Sequence, residues 1–306
     1  MKVLVTGGAG FIGSHVVDRL VQEGHQVSVV DNLSTGKRKN LNRAARFYKQ
    51  DIRSSGLDRV FKKERPMVIF HLAAQVNVRR SSEDPAFDAQ VNVLGTINVL
   101  ERAIHYGSRK VIFASSGGAV YGEQHVFPAS ESHPTYPISP YGISKLTGEH
   151  YLAYYHHMAG IGFATFRLGN AYGPRQNPDG EAGIVAIFTQ KMLKGDQVLL
   201  NGNGFQTRDY IFVHDVVEAV VAGLSPQVQG IYNVGTGQET TVNEIFGCLR
   251  KLTKSECREI HGPEKKGEQF RSSLNASRLQ EAIGWEPTVS LPDGLMQTVQ
   301  FFRGKN

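Results

Sequence analysis

The chain has 306 residues, of which 40% are hydrophobic and 20% charged, and its formal net charge is +6. This length and composition are ordinary for a soluble enzyme with a substantial core, built as one large or two associated domains. No apolar run approaches the roughly 20 residues that span a bilayer, and the positive charges are spread along the chain, which indicates a solvated surface rather than a nucleic-acid-binding patch.

The cysteines and the first residues indicate a cytoplasmic protein. Cys248 and Cys257 lie nine residues apart, without the spacing of a metal site. We therefore expect no disulfide, no metal and a reducing compartment. The opening KVLVTG predicts a strand rather than a leader segment. The mildly basic charge suits a small anionic substrate.

The first half of the chain alternates strand-like and helix-like segments. Apolar, β-branched strands are predicted over 2–6, 26–31, 45–49, 67–71, 110–114 and 161–167. Helical periodicity is present over 12–23, 54–64, 86–106 and 140–158. This alternation predicts an α/β fold, a Rossmann-like doubly wound parallel sheet covered on both faces.

After about residue 170 the pattern changes, beginning with a Gly/Pro/Asn-rich loop over 170–183. Helices are predicted over 184–194, 214–223, 241–252, 275–283 and 291–302. The sequence thus predicts a cofactor-binding domain over 1–170 and a smaller, mixed α/β, substrate-binding domain over 171–306. A strand over 230–234 belongs either to this second region or to the first sheet.

A glycine-rich turn joins the first strand to the first helix. Gly7, Gly10 and Gly13 allow the backbone to turn tightly and approach a pyrophosphate, which the helix N-terminus attracts. Asp31 closes the second strand 18 residues after Gly13. In this position a carboxylate accepts hydrogen bonds from ribose hydroxyls and repels a 2′-phosphate, so the sequence predicts NAD rather than NADP as the cofactor.

Further motifs carry a family resemblance. They are the GxxGxxG spacing of these glycines, DNLSTG (31–36), HLAAQ (71–75), VNVLGTINVLE (91–101), YGISK (141–145) and FRLGNAYGP (166–174). With them the chain resembles the extended short-chain dehydrogenases, the NAD-dependent epimerase/dehydratase family, and is most similar to the UDP-glucose (UDP-galactose) 4-epimerases. The resemblance extends through TRDYIFVHDV (207–216) to GWEP (284–287).

The resemblance implies a set of cofactor-binding residues. They are Gly7, Gly10, Phe11, Ile12 and Gly13 in the glycine loop; Asp31, Asn32, Ser34 and Gly36 at the adenosine ribose; Asp51 and Ile52 at the adenine; and Leu72, Ala73, Ala74, Gln75, Asn92, Ser115, Tyr141, Lys145 and Leu168 on the pyrophosphate and nicotinamide side.

The resemblance also implies the reaction. Tyr141 accepts the proton of a sugar 4-hydroxyl while a hydride passes to NAD, and the 4-keto sugar then takes the hydride back on its other face. Lys145 lies four residues later, on the same helix face. Its ammonium and the charge of oxidised nicotinamide favour the tyrosinate. The resemblance also implies a catalytic serine at the end of the preceding strand. Ser116 is the expected residue and Ser115 the alternative; if it is not catalytic, Ser115 is expected to anchor the end of the strand.

The resemblance assigns the UDP-sugar to a further group of residues. They are Ser116, Tyr141, Asn170, Asn201, Arg208, Lys265, Glu268 and Ser272. Arg208 suits phosphate oxygens, whereas Lys265 stands where the family commonly has arginine and lacks the bidentate geometry. Ser272 stands at the position beside the sugar 2-substituent, and its small size predicts that N-acetylated sugars are accepted as well.

Three enzymatic alternatives remain. A 4,6-dehydratase needs an Asp-Glu pair where this chain has Gly118 and Ala119. A UDP-glucuronate epimerase or decarboxylase is compatible with the motifs, and so is a ketoreductase that releases its cofactor. A non-catalytic NAD-binding regulator is disfavoured by Tyr141 and Lys145. By analogy we expect a homodimer formed through the helices near 86–106 and 140–158.

Overall fold

The structure is a computed structural model that describes residues 1–179, 183–263 and 269–304. The strands are β1 Lys2–Thr6, β2 Gln26–Asp31, β3 Arg46–Lys49, β4 Val68–His71, β5 Lys110–Ser116, β6 Gly162–Leu168, β7 Asn170–Tyr172, β8 Leu199–Asn201, β9 Thr207–Arg208, β10 Tyr210–Phe212, β11 Gly230–Val234, β12 Thr240–Thr241 and β13 Ile260–Gly262. The helices are α1 Phe11–Gln22, α2 Leu57–Glu64, α3 Val78–Glu83, α4 Pro85–Ala89, α5 Gly95–His105, α6 Gly117–Val120, α7 Pro140–Ala159, α8 Ile184–Lys194, α9 Val213–Ala222, α10 Val242–Thr253, α11 Ser277–Ile283 and α12 Leu291–Arg303.

Seven parallel strands form the main sheet in the order β11-β6-β5-β4-β1-β2-β3. The chain moves outward in one direction through β1, β2 and β3 and in the other from β4 onward, so the order reverses between β1 and β4. Ligands bind at such a reversal, at the carboxyl ends of the strands. The predicted fold class is confirmed. The strand over 230–234 is β11 and joins this sheet beside β6.

Smaller elements follow β6 and pack beside the main sheet. They include the two-stranded sheets β10-β7, β12-β9 and β13-β8. The chain leaves the main sheet after β6 and returns to it as β11, so the two regions share a sheet. The domain division at residue 170 stays a prediction. None of the helices in the described ranges combines the length and apolar character needed to cross a bilayer.

Alternate residues of each central strand face the two helical layers. In β1, Val3 and Val5 belong to the apolar cluster under α1 and α9, whereas Leu4 belongs to the opposite cluster, under α2, α5 and α7. Because helices cover both faces of the sheet, the central strands consist almost entirely of apolar residues. The carboxyl ends of β1, β4 and β5 are therefore held between two packed layers.

The helix predicted over 86–106 is one helical run with a local irregularity. It comprises α4, a π-helical segment over Gln90–Leu94, and α5. Asp84 begins the run, because its side chain accepts a hydrogen bond from the Phe87 N–H at 3.0 Å. The short helix α3 was not predicted, since its sequence VRRSSE lacks apolar periodicity. The spacing of apolar residues does not distinguish a π-helical turn from an α-helical one. The sequence therefore predicted a helix here but not its π-helical segment.

A buried ion pair joins α7 to β6. The Arg167 guanidinium donates to both carboxylate oxygens of Glu149, at 2.7, 3.0 and 3.2 Å. Both side chains are almost fully buried. The Ser115 hydroxyl also donates to Glu149, at 2.5 Å. Removing one partner leaves the other charge buried without compensation, which costs far more than losing a surface pair.

We predict that Glu149→Gln lowers the free energy of unfolding by about 3–5 kcal/mol. The measurement is urea unfolding followed by circular dichroism. The matched control is Glu23→Gln, which removes the exposed partner of Arg19 and should cost about 1 kcal/mol or less. Equal costs for the two variants would contradict the structural role assigned to the Glu149–Arg167 pair.

Candidate active site

The glycine loop between β1 and α1 packs against the chain segment that follows β4. Gly7 has a φ of +72°, and a Cβ there would lie 2.7 Å from the Ala73 nitrogen. A Cβ on Gly13 would lie 2.2 Å from the Gly7 carbonyl oxygen. Larger side chains at either position would separate the loop, the helix and the β4 segment.

The start of α1 fits the phosphates of a dinucleotide. Gly10 occupies the N-cap position without a side-chain cap, and the first turn carries no acidic residue. The free N–H groups of the first turn and the positive end of the helix dipole therefore remain available to an anion. Phe11 and Ile12 form this turn and are partly buried.

The predicted ribose and adenine residues line the edge beyond β2. Asp31 is buried, and its carboxylate accepts the N–H groups of Ala9 and Leu33 at 3.0 and 2.7 Å. Burial raises the pKa of Asp31, and the two backbone donors oppose this shift. Gly36 leaves room for the carboxylate, since a Cβ there would lie 2.8 Å from Asp31 Oδ1.

Asn32 and Asp51 connect the ends of β2 and β3. The Asn32 amide donates to Asp51 at 2.9 Å, and its oxygen accepts the Ser34 N–H at 2.9 Å. The Arg53 guanidinium holds the pKa of Asp51 well below its usual range. Ile52 is buried, so the structure brings these predicted residues to one edge of the sheet beside the glycine loop.

The segment after β4 is fixed by the side-chain amide of Asn92 and the hydroxyl of Thr6. Asn92 accepts the Gln75 N–H at 2.8 Å and donates to the Gln75 carbonyl oxygen at 2.9 Å. The Thr6 hydroxyl oxygen accepts the N–H groups of Leu72 and Ala73, each at 3.2 Å. Leu72, Ala73 and Ala74 are all partly exposed, so a bound cofactor could contact them.

Tyr141 and Lys145 lie in the first two turns of α7. Ser139 caps this helix by accepting the Gly142 N–H at 3.2 Å, and Pro140 occupies its first turn. The Lys145 ammonium donates to the Ala114 carbonyl oxygen at 2.9 Å. It lies 5.9 Å from the centroid of the Tyr141 ring and 4.9 Å from that of Phe113.

Desolvation controls the protonation of both residues. Burial raises the pKa of Tyr141 to about 12, opposed by a hydrogen bond from Ser116. Burial lowers the pKa of Lys145 to about 8, opposed by the charges of Asp88 and Glu149. Without a bound cofactor the protein therefore favours the neutral phenol of Tyr141. The sequence predicts that the charge of Lys145 favours the tyrosinate, but the effect of burial is larger. The positive charge of an oxidised nicotinamide would act in the required direction.

The two adjacent serines at the end of β5 have different partners. The Ser116 hydroxyl faces the Tyr141 hydroxyl and lowers the pKa of the phenol, against the effect of burial. Ser115 is buried and donates to Glu149 at 2.5 Å, because successive strand residues point to opposite faces. Ser116 is thus the serine in contact with the tyrosine, and Ser115 belongs to the buried ion-pair network. Leu168, at the end of neighbouring β6, is buried.

The two glycines after Ser116 differ in their surroundings. A Cβ on Gly117 would lie 2.4 Å from Leu274 Cδ1, so packing requires a glycine there. A Cβ on Gly118 would meet only Asn170 Oδ1, at 3.4 Å. Position 118 therefore has room for a side chain next to the reaction site.

The predicted substrate residues lie on several elements beyond the sheet edge. Asn170 begins β7 and Asn201 ends β8, and both are partly exposed. Arg208 lies on β9, where its guanidinium donates to the Thr207 carbonyl oxygen at 2.7 Å. Ser272 is buried. Lys265 and Glu268 lie outside the described residues.

Several polar residues that support the site were not predicted. Ser81 accepts the Tyr141 N–H at 3.2 Å, and His71 is hydrogen-bonded between the hydroxyls of Thr6 and Thr96 at 2.7 and 2.9 Å. Asp88 is buried beside Gln75. Their contacts join residues far apart in the chain, so no local pattern shows them. Within the described ranges, no cluster of three or more His, Cys, Asp or Glu side chains could hold a metal ion.

The chain matches known proteins over its whole length. Residues 3–235 match the model of the NAD dependent epimerase/dehydratase family. A UDP-glucose 4-epimerase of Mycolicibacterium smegmatis is 44% identical over all of both chains. The crystal structure of the Thermotoga maritima UDP-glucose 4-epimerase with UDP-glucose is 48% identical, with a TM-score of 0.98 over 100% of this chain and 99% of that one.

A structure with the cofactor is similar as well. The Thermus thermophilus UDP-glucose 4-epimerase in complex with NAD is 44% identical, with a TM-score of 0.95 over 99% of both chains. The residues around the glycine loop fit NAD, and NAD as the predicted cofactor is confirmed. The chain therefore belongs to the NAD dependent epimerase/dehydratase family, as its motifs indicated.

Proposed function

We propose that the protein is an NAD-dependent UDP-hexose 4-epimerase that interconverts UDP-glucose and UDP-galactose. One observation carries the proposal: Ser116, Tyr141 and Lys145 meet at the carboxyl end of β5, beside the glycine loop that fits NAD. The full-length similarity to UDP-glucose 4-epimerases supports the sugar nucleotide and the reaction.

In this reaction Tyr141 takes the proton of the sugar 4-hydroxyl and later returns it. Ser116 holds the same oxygen and shares its proton with the Tyr141 hydroxyl, whose pKa it lowers. Lys145, four residues later on the helix, supplies a positive charge that favours the tyrosinate. NAD, when bound, supplies the hydride acceptor and then the hydride donor.

The substrate is held by its nucleotide. The Arg208 guanidinium suits the diphosphate, where planar, charged donors give strong hydrogen bonds. Asn170 lies next to the open space at Gly118 and would contact the diphosphate or uracil, with Asn201 nearer the base. Lys265 and Glu268 stay predicted contacts.

We extend the proposal to N-acetylated sugars. Ser272 is small and buried, and both of its neighbours in the chain are hydrogen-bonded: Arg271 pairs with Glu239, at 2.5 and 2.9 Å, and the Ser273 N–H donates to Gln124 at 3.0 Å. A small residue held rigidly in this place leaves space for an N-acetyl group at the sugar C2.

We also propose a homodimer. The helical run over 85–105 packs beside α7, and their outer faces expose the large apolar side chains Leu94, Ile143, Tyr154 and Met158, each more than half exposed. Exposed apolar side chains on adjacent helices are typical of an interface. The two free cysteines, Cys248 and Cys257, support a reducing, cytoplasmic location.

We predict that Tyr141→Phe lowers kcat for UDP-galactose by about 10²–10⁴-fold, because it removes the acid–base group. The measurement is a coupled assay that detects UDP-glucose. Tyr151→Phe, on the same helix and packed among apolar residues, is the matched control and should keep its activity. Full activity in Tyr141→Phe would reject the mechanism.

The two serines of β5 should separate catalysis from stability. We predict that Ser116→Ala lowers kcat about 10²-fold and shifts its acidic limb to higher pH, because the lost hydrogen bond no longer lowers the pKa of Tyr141. Ser115→Ala should instead destabilise the protein by about 1.5–3 kcal/mol, since it removes a donor from buried Glu149, and should keep kcat. The reverse pattern would make Ser115 the catalytic serine.

A larger residue at position 272 should change the substrate range. We predict that Ser272→Tyr abolishes turnover of UDP-GalNAc while retaining turnover of UDP-galactose, because the phenol fills the space for the N-acetyl group. Parallel assays with both substrates measure this, and thermal unfolding establishes that the variant is folded. An equal loss with both sugars in a folded variant would refute the proposed specificity.

A further inference from the structure

A buried carboxylate beside the reaction site has no part in the chemistry described above. Asp88, on α4, is only 1% exposed. Its Oδ1 accepts the Gln75 side-chain amide at 2.8 Å and the Asn92 side-chain amide at 3.1 Å. Its Oδ2 is buried and has no hydrogen-bond partner among the described residues. A buried carboxylate oxygen without a donor is costly, which indicates that the charge has a function.

The contacts of Asp88 lead directly to the first turns of α7. Asn92, held by Asp88, also donates to the Ser144 hydroxyl at 3.1 Å. The Ser144 hydroxyl in turn donates to the Tyr141 carbonyl oxygen at 3.0 Å. Asp88 therefore fixes Gln75, in the segment after β4, and Asn92, which bridges that segment to the catalytic helix.

The helix geometry around Asp88 is specialised. Asn92 lies within the π-helical segment Gln90–Leu94, which begins two residues after Asp88. Such segments are rare and occur frequently at functional sites. Here Asn92 Nδ2 reaches Asp88, the Gln75 carbonyl oxygen and Ser144.

Asp88 and Lys145 form no direct ion pair among the described residues, so the carboxylate acts on the ammonium at longer range. Two carboxylates, those of Asp88 and Glu149, act on the buried ammonium. Glu149 is already neutralised by Arg167, which donates to both of its oxygens. Asp88 has only neutral amides as hydrogen-bond donors, so its charge is not balanced by an ion pair.

The remaining titratable groups facing Lys145 do not alter this balance. Burial lowers the pKa of His71 to about 3, so it is neutral near pH 7. Tyr141 is also neutral in the protein alone, since its pKa is raised to about 12. One buried cation and one buried anion therefore remain, on the two helices that the Asn92 bridge joins.

We propose that Asp88 is a positioning residue of the reaction site: its carboxylate is the counter-charge of Lys145 and the anchor of the Gln75 and Asn92 side chains. This inference rests on the proposed roles of Tyr141 and Lys145. Asp88 acts on the reaction through them, because a negative charge favours the protonated form of each.

Asp88→Asn tests the charge while keeping the anchor. The amide oxygen of asparagine can still accept from Gln75 and Asn92. Asp88 raises the pKa of both Lys145 and Tyr141, so its neutralisation lowers both, and the whole pH profile of kcat moves to lower pH by about one unit. We predict that kcat at pH 9 falls about tenfold relative to the parent protein, because Lys145 loses its proton at lower pH, whereas kcat at pH 6 rises, because Tyr141 does so too.

The matched control is Asp84→Asn, which makes the same change of net charge four residues earlier. Asp84 is exposed, and its side chain only caps α4, a role that asparagine fills equally well. This variant should leave the pH profile unchanged. A shift of equal size in both variants would mean that net charge alone is responsible and would overturn the inference.

A second measurement needs no turnover. In protein labelled with ¹³Cζ-tyrosine, the NMR signal assigned to Tyr141 by its loss in Tyr141→Phe should titrate at lower pH in Asp88→Asn than in the parent.

A third variant tests the anchor by a kinetic measurement. Asp88→Ala removes the hydrogen-bond acceptor as well as the charge and should in addition raise the KM for UDP-galactose. If Tyr141→Phe is inactive but Asp88→Asn titrates like the parent, the Asp88 inference fails alone. If Tyr141→Phe is active, the proposed function fails first.

Discussion

A lysine held out of water is the constraint on which the reaction site depends. Burial lowers the pKa of Lys145 to about 8, so the protein must supply negative potential to keep the ammonium charged. It does so with the Ala114 carbonyl oxygen, the faces of two aromatic rings and two buried carboxylates. Those carboxylates in turn need Arg167 and the amides of Gln75 and Asn92. The buried polar groups around Glu149 and Asp88 are thus linked to one buried cation.

The scaffold around this cation is fixed by close backbone packing. Gly7 and Gly13 let the β1 turn, α1 and the segment after β4 approach within contact distance, and Thr6 satisfies the N–H groups of that segment. The cofactor region and the catalytic helix are thereby positioned by separate means, one by backbone contact and the other by hydrogen-bonded side chains. Asn92 connects the two, because it bonds both Gln75 and Ser144.

The sequence predicts those features that depend on residues close together in the chain. Apolar strands alternating with helices predicted the sheet, and the glycine spacing with Asp31 predicted the cofactor. Tyr141 and Lys145 were predicted from their spacing within a recognisable motif. What could not be predicted depends on contacts between distant residues: Ser115 with Glu149, 34 positions apart, and Ser81 with Tyr141, 60 positions apart. The different partners of Ser115 and Ser116 follow from strand geometry, because successive residues of β5 point to opposite faces of the sheet.

The glycines after Ser116 explain why the proposed reaction stops at epimerisation. Gly117 is a packing requirement, because Leu274 occupies the space of its side chain. Gly118 is not, since a Cβ there would meet only Asn170 at an ordinary contact distance of 3.4 Å. The fold could therefore carry at position 118 the acid that a 4,6-dehydratase is expected to have there, and this chain has glycine at that position. Because positions 118 and 119 lack the acid pair that a 4,6-dehydratase needs to remove water from a 4-keto sugar, re-reduction is the outcome expected for the intermediate.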